Sequence, residues 1–127
     1  MKKIISTDKA PAAFGPYSQA VEVNGLVFTS GVIPIIPSTG ELAQGGIEKQ
    51  AEQAISNLAA LIEASGAKIE NTIKTMVFIK NMEDFATVNE IYSRYFKSDC
   101  PARSCVEVAR LPKDVLIEIE AIVAKEK

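Results

Sequence analysis

The sequence predicts an α+β domain in which one mixed sheet carries two helices on a single face. Three observations lead there. Ile47, Ala51, Ala54, Ile55, Leu58, Leu61 and Ile62 recur at helical spacing between segments rich in β-branched residues. Asn24-Gly25 separates two short apolar runs, a pair suited to a type I′ hairpin turn. The order of elements, three strands, helix, strand, helix and two strands, then suggests a two-layer packing that buries both helices.

Each element has its own signal. Ile4-Ile5 reads as a short first strand, followed by a loop through Pro11, Gly15 and Pro16. Val21–Val23 and Leu26–Thr29 form the hairpin, and a turn-rich stretch runs from Pro34 to Gly46. The first helix follows, with Gly66 where a C-terminal cap is expected. Thr72–Lys80 reads as a strand, and a second helix carries Phe85, Val88, Tyr92 and Tyr95 on one face. Arg103–Arg110 and Val115–Val123 complete the sheet as two strands joined through Leu111-Pro112-Lys113-Asp114.

Size and composition narrow the function classes. A chain of 127 residues, 47% hydrophobic and 24% charged, has room for one core, so residues 1–127 are expected to form a single domain. The net charge of −2 gives no electrostatic footprint for nucleic acid. There is no histidine, which removes Ser-His-Asp and Cys-His catalysis and His-ligated metals. Cys100 and Cys105 are the only thiols, too few to close a zinc site. The start turns polar within a few residues, and the uncharged run from Gly25 to Gly40 is broken by Pro34 and Pro37. A cytoplasmic protein with reduced thiols and no membrane span is therefore expected.

The last two strands hold the densest chemistry. In the final strand Val115, Ile117, Ile119, Ala121 and Val123 alternate with Glu118 and Glu120. If Arg110 pairs with Val115 across the turn, one face is aliphatic and the other gathers Arg103, Cys105, Glu107, Glu118 and Glu120. Such a face is either a solvated outer surface or an anion site, where Arg103 offers a planar fork to a carboxylate and a glutamate holds water. Cys105 lacks a histidine to activate it and reads as a half-buried thiol. Asn89 sits on the helix stripe, where it caps a backbone group or touches a ligand. Ser30-Gly31 ends an apolar strand where glycine permits close backbone approach, and Tyr17 follows Gly15-Pro16 on a loop.

Taken together, Ala10-Pro11-Ala12-Ala13 with Gly15-Pro16-Tyr17-Ser18-Gln19, Thr29-Ser30-Gly31, the block Pro101-Ala102-Arg103-Ser104-Cys105-Val106-Glu107-Val108-Ala109-Arg110-Leu111-Pro112-Lys113-Asp114 and Ile117-Glu118-Ile119-Glu120-Ala121 resemble the RidA (YjgF/YER057c-type) family. The resemblance spans nearly the whole chain in order. It implies a chorismate-mutase-like subunit, a homotrimer with ligand clefts between subunits, and hydrolysis of 2-iminobutanoate and 2-iminopropanoate to 2-oxo acids and ammonia without a cofactor or metal. It further implies that Arg103 holds the substrate carboxylate and Glu118 positions the attacking water. Tyr17, Ser30, Gly31, Asn89 and Cys105 would line the cleft, Cys105 through its backbone, with Glu120 structural. Two departures stand out: Val32 where a glutamine is common, and a short Lys97-Ser98-Asp99-Cys100 loop. The alternative is a non-catalytic module that senses a small carboxylate and contacts protein or RNA.

Overall fold

The computed structural model describes residues 1–126. Six strands and two helices follow one another as β1 (Lys3–Ile5), β2 (Ala20–Val23), β3 (Leu26–Thr29), α1 (Gly46–Ala64), β4 (Thr72–Ile79), α2 (Phe85–Tyr92), β5 (Ala102–Glu107) and β6 (Ile117–Ala124). The strands form one sheet in the order β1-β2-β3-β6-β4-β5. All pairings are antiparallel except β4 with β5, so the sheet is mixed, as expected.

The helices cover one face because their apolar stripes match the inward side of the strands. Ile55, Leu58, Leu61 and Ile62 of α1 and Val88 and Ile91 of α2 pack with Val27, Val77, Ile79, Ile117, Ile119 and Val123 in one core. Fully burying each such side chain stabilises the fold by roughly 1.5–3 kcal/mol. Asn24 and Gly25 both take positive φ, 51° and 76°, the conformation that a type I′ turn demands. The second helix is shorter than its stripe suggests. It ends at Tyr92, and Tyr95 and Phe96 follow in tight turns on the Tyr92 carbonyl, at 3.1 and 3.0 Å.

One expectation fails. Residues 103–110 and 115–123 do not form a hairpin: β5 pairs in parallel with β4, and β6 runs between β3 and β4. Burial explains the choice. Alternate residues of β6 are fully buried, which suits a central strand, whereas β5 is exposed or half-buried throughout and takes the edge. With α2 as crossover, β4-α2-β5 is a βαβ unit. The Leu111–Asp114 stretch forms a short turn instead of a tight hairpin loop, carrying the chain past β4 into β6.

The register settles which way each side chain faces. Arg103, Cys105 and Glu107 pair with Thr75, Val77 and Ile79, and these β4 residues in turn oppose Ala121, Ile119 and Ile117. All of them face the helices. Glu118 and Glu120 oppose Phe78 and Met76 and face away, onto the side that no helix covers. The expected cluster of five polar residues is thus two groups on opposite faces, with β5 turned over because its neighbour is β4 and not β6.

Candidate active site

Glu118 projects from the middle of the sheet into a cleft of about 290 Å3 that Tyr17, Ser30 and Gly31 also line. The approach between Glu118 and the strand end of β3 is close. A Cβ built on Gly31 would lie 2.6 Å from Glu118 Cδ, so position 31 admits no side chain while the carboxylate stays in place. Val32 holds that geometry: its N–H donates to the Ile119 carbonyl at 2.7 Å, and Ile119 N–H donates back at 3.0 Å. Val32 is itself buried, serving the core and the cleft wall together. Burial pushes the Glu118 carboxyl above the usual glutamate range, and the neighbouring Glu120 charge adds to the rise.

The loop over this cleft is tied down by polar groups. Buried Gln19 donates through Nε2 to the carbonyls of Thr7 and Pro11, at 3.0 and 2.7 Å, and accepts from Thr7 N–H at 2.7 Å. Ser30 Oγ donates to the Ser18 carbonyl at 2.6 Å, and Ser30 N–H to Gln19 at 2.9 Å. Ser30 therefore uses its hydroxyl to anchor the loop. Gln19 was not singled out from the sequence; the signal was a long amide side chain immediately before β2, which must find partners when buried.

Arg103 forms a second group at the free edge. Its Nη1 donates to Asn89 Oδ1 at 2.7 Å, and its guanidinium carbon lies 4.9 Å from the Tyr92 ring centre and 5.5 Å from that of Phe85. Tyr92 is fixed in turn by a 2.8 Å bond between its hydroxyl and that of Thr75. Stacking plus one hydrogen bond orients the fork, and among the described residues no carboxylate lies within ion-pair range of it. A positioned guanidinium without an acidic partner is suited to an external carboxylate. Asn89 is thus neither a backbone cap nor isolated; it holds the arginine. Phe85 and Tyr92, read from the sequence as core stripe, are the other two walls of that holder.

Cys105 stands two residues along β5. Burial pushes its thiol up, and the smaller opposing pull of Arg103 does not offset this, so the sulfur is a poor nucleophile. Val108 N–H points inward to Ile79 at 2.9 Å. By the alternation of a strand, the backbone N–H groups of Arg103, Cys105 and Glu107 point outward from the free edge. Glu107 has a structural task, accepting from Met82 N–H at 2.8 Å. Tyr17, Ser30, Gly31 and Glu118 are therefore one set, and Asn89, Arg103 and Cys105 another.

These features define a small α+β domain carrying two separate polar groups, a carboxylate in a loop-covered cleft and a stacked arginine on an open strand edge. The chain belongs to the family described as endoribonuclease L-PSP, whose model matches residues 7–125. It is 52% identical over 128 residues to the 2-iminobutanoate/2-iminopropanoate deaminase of Salmonella typhimurium, covering 98% of this chain and 99% of that one. Among solved structures it is similar to the YjgF gene product of E. coli, with a TM-score of 0.92, 50% identity and coverage of 98% and 99%. It is also similar to E. coli TdcF with bound serine, with a TM-score of 0.93, 47% identity and the same coverage. The resemblance drawn from the sequence motifs is borne out.

Proposed function

We propose that the protein hydrolyses small 2-imino acids, 2-iminobutanoate and 2-iminopropanoate among them, to 2-oxo acids and ammonia. The observation that carries this reading is the pair of half-sites: an oriented, unpaired arginine and a partly desolvated carboxylate, each incomplete without the other. A relative named for this reaction shares 52% of its residues with the chain. A homotrimer that sets β5 of one copy against the Glu118 cleft of the next would unite the halves. The uncovered sheet face, with Phe28, Met76, Phe78 and Ile122 on it, is the surface such packing would bury.

The chemistry follows from the groups present. Arg103 takes the substrate carboxylate in its fork, and the outward N–H of Cys105 is placed to share it. Fixing that end turns a bimolecular attack into a positioned one. Glu118 accepts a proton from water as the oxygen bonds to the imine carbon, and the C=N electron pair moves to nitrogen. Glu118 returns that proton to the carbinolamine nitrogen, and the C–N bond breaks as the hydroxyl gives its own proton back to Glu118, leaving the 2-oxo acid and ammonia. A carboxyl held above its usual range by burial is a stronger base than an exposed glutamate, which suits it to taking the proton from water.

Phosphodiester cleavage, which the family description names, is the weaker reading. The chain has no histidine and a net charge of −2, and the cleft carboxylate with Glu120 nearby would repel a phosphate. The reducing cytoplasm, where pyridoxal-phosphate dehydratases release enamines and imines, is the setting in which the proposed reaction limits metabolite damage. The deciding experiment adds the protein to a threonine dehydratase reaction and follows 2-oxobutanoate and ammonia. Faster release than by spontaneous hydrolysis is expected. An unchanged time course would favour a non-catalytic carboxylate sensor.

A further inference from the structure

The Glu118 cleft is larger and more apolar than the reacting atoms of an imino acid require. Those atoms are a carboxylate, an imine carbon and a nitrogen, and 2-iminopropanoate adds only a methyl group. The cleft measures about 290 Å3, with Pro11, Phe14, Ile33 and Pro112 among its walls. Of these, Phe14 has no part in the fold. The residue is 55% exposed and belongs to neither buried cluster.

Yet the ring is held on two sides. It meets Tyr17 edge to face, with centroids 6.0 Å apart and planes at 86°, and Lys113 Nζ lies 5.3 Å from its centre. The Phe14 N–H donates to the Tyr17 hydroxyl at 3.4 Å. The Lys113 side of this clasp is built on an uncommon backbone, with Lys113 and Asp114 both at φ 56°. Asp114 grips Arg110 at 2.7 Å, and Pro112 forms cleft wall. Left-handed residues in succession persist where the surroundings over-determine them, and such places gather at ligand sites. An apolar ring that is oriented but not buried has its contact surface still to give.

We infer that Phe14, oriented by Tyr17 and Lys113, selects the substrate by its side chain and favours 2-imino acids with aliphatic chains longer than methyl. This rests on the deaminase reading and goes beyond it. Arg103 recognises the end common to every imino acid, and Glu118 serves the carbon common to every one. Phe14 meets the part that differs. Closing the ring on a longer chain removes apolar surface from water, and one methylene in such a pocket is worth about tenfold or more in discrimination.

The test compares the wild-type protein with Phe14→Ala and Phe14→Leu. Imino acids are generated in place by an amino-acid oxidase from alanine, 2-aminobutyrate and leucine. In Phe14→Ala, kcat/KM for the leucine-derived imine should fall about tenfold. That for the alanine-derived imine should change by less than about twofold, and Phe14→Leu should lie between. Equal changes for all three imines, or none, would overturn the inference. Calorimetry with pyruvate, 4-methyl-2-oxopentanoate and 2-oxoglutarate separates this from the reaction itself. If no imine is hydrolysed, the deaminase reading fails, and the inference still stands or falls on whether Phe14→Ala weakens 4-methyl-2-oxopentanoate more than pyruvate. Tighter wild-type binding of 2-oxoglutarate than of 4-methyl-2-oxopentanoate would assign selection to the Lys113 ammonium and overturn it.

Discussion

Arg103 and Glu118 face opposite sides of one sheet, with β4 running between their strands. Two strand spacings, about 10 Å, and three residues along the strand, about 10 Å more, separate their backbones, and the sheet itself stands between the side chains. A single molecule that needs both groups on one carboxylate-bearing substrate cannot bring them together without a second copy.

The first prediction follows from that geometry. Arg103→Ala and Glu118→Gln should each lose activity by about 30-fold or more, since removing one partner of a desolvated charge pair costs roughly 2–5 kcal/mol. Mixed in equal amounts, dissociated and reassembled, the two inactive proteins should regain about a quarter of wild-type activity, the fraction of interfaces with an intact residue from each side. A mixture as inactive as its parts would overturn the shared site, since no site would then draw Arg103 from one chain and Glu118 from another.

Position 31 supplies the second. Gly31→Ala puts a methyl group where the Glu118 carboxylate lies. The side chain must rotate away, and a displacement of about 1 Å at a reacting group lowers turnover about 100-fold. Circular dichroism should be unchanged. Full activity in the alanine variant would mean that Glu118 works from some other rotamer.

The third concerns pH. Burial first, and the Glu120 charge second, raise the Glu118 carboxyl above its usual value. Only the ionised form can accept a proton, so kcat should fall as pH drops through that raised value. Glu120→Gln removes the second cause alone, moving the acid limb of the profile to lower pH but leaving it above that of an exposed glutamate. Because the folded state binds this proton more tightly than the unfolded one, ionising Glu118 opposes folding at pH above the raised value. Glu118→Gln should therefore raise Tm at pH 7 while abolishing turnover. A limb that does not move in Glu120→Gln would exclude the coupling.

Asn57 gives a fourth. It is buried in α1 and donates to the carbonyls of Ile33 and Ile35 at 3.1 and 2.7 Å. Asn57→Ala leaves the Ile35 carbonyl without that donor and Ile33 with only the Ile35 N–H, at 2.8 Å, a loss of roughly 1–3 kcal/mol for the group left buried. Chemical denaturation should show a lower midpoint with an unchanged slope. Since Ile33 also lines the cleft, KM should rise as well.

Cys105→Ala, by contrast, should keep substantial activity, because the raised thiol is not the nucleophile and the backbone N–H survives the change. Complete loss of turnover with an intact fold would give the sulfur a role that its surroundings do not suggest.

How far the sequence could carry these conclusions differs from residue to residue. The helix over Ile47–Ile62 and the Asn24-Gly25 turn were legible because their signals are local, a 3.6-residue period and two positive-φ positions. The burial of Ile117, Ile119 and Val123 was legible from alternation. The partner of β6 was not, since alternation says which residues turn inward and nothing about which strand lies beside them. That gap reversed the face of Arg103, Cys105 and Glu107, whose direction depends on pairing with β4. Tyr92 and Phe85 show the same limit: a helix stripe identifies apolar residues, and only tertiary packing shows that two of them stack on a guanidinium.

The position of β6 also bears on how the chain reaches this fold. Its eight residues are nearly the last to be synthesised among those described, yet they join β3 to β4. Until residue 124 has left the ribosome, no strand is present to join β1-β2-β3 to β4-β5, and β3 and β4 each lack a neighbour on their inner edge. Loop closure over such separations is slow, and unpaired edges invite pairing with other chains in the meantime. Formation of the native sheet is therefore a late event, and a nascent chain stalled short of Ile117 is a candidate for chaperone capture.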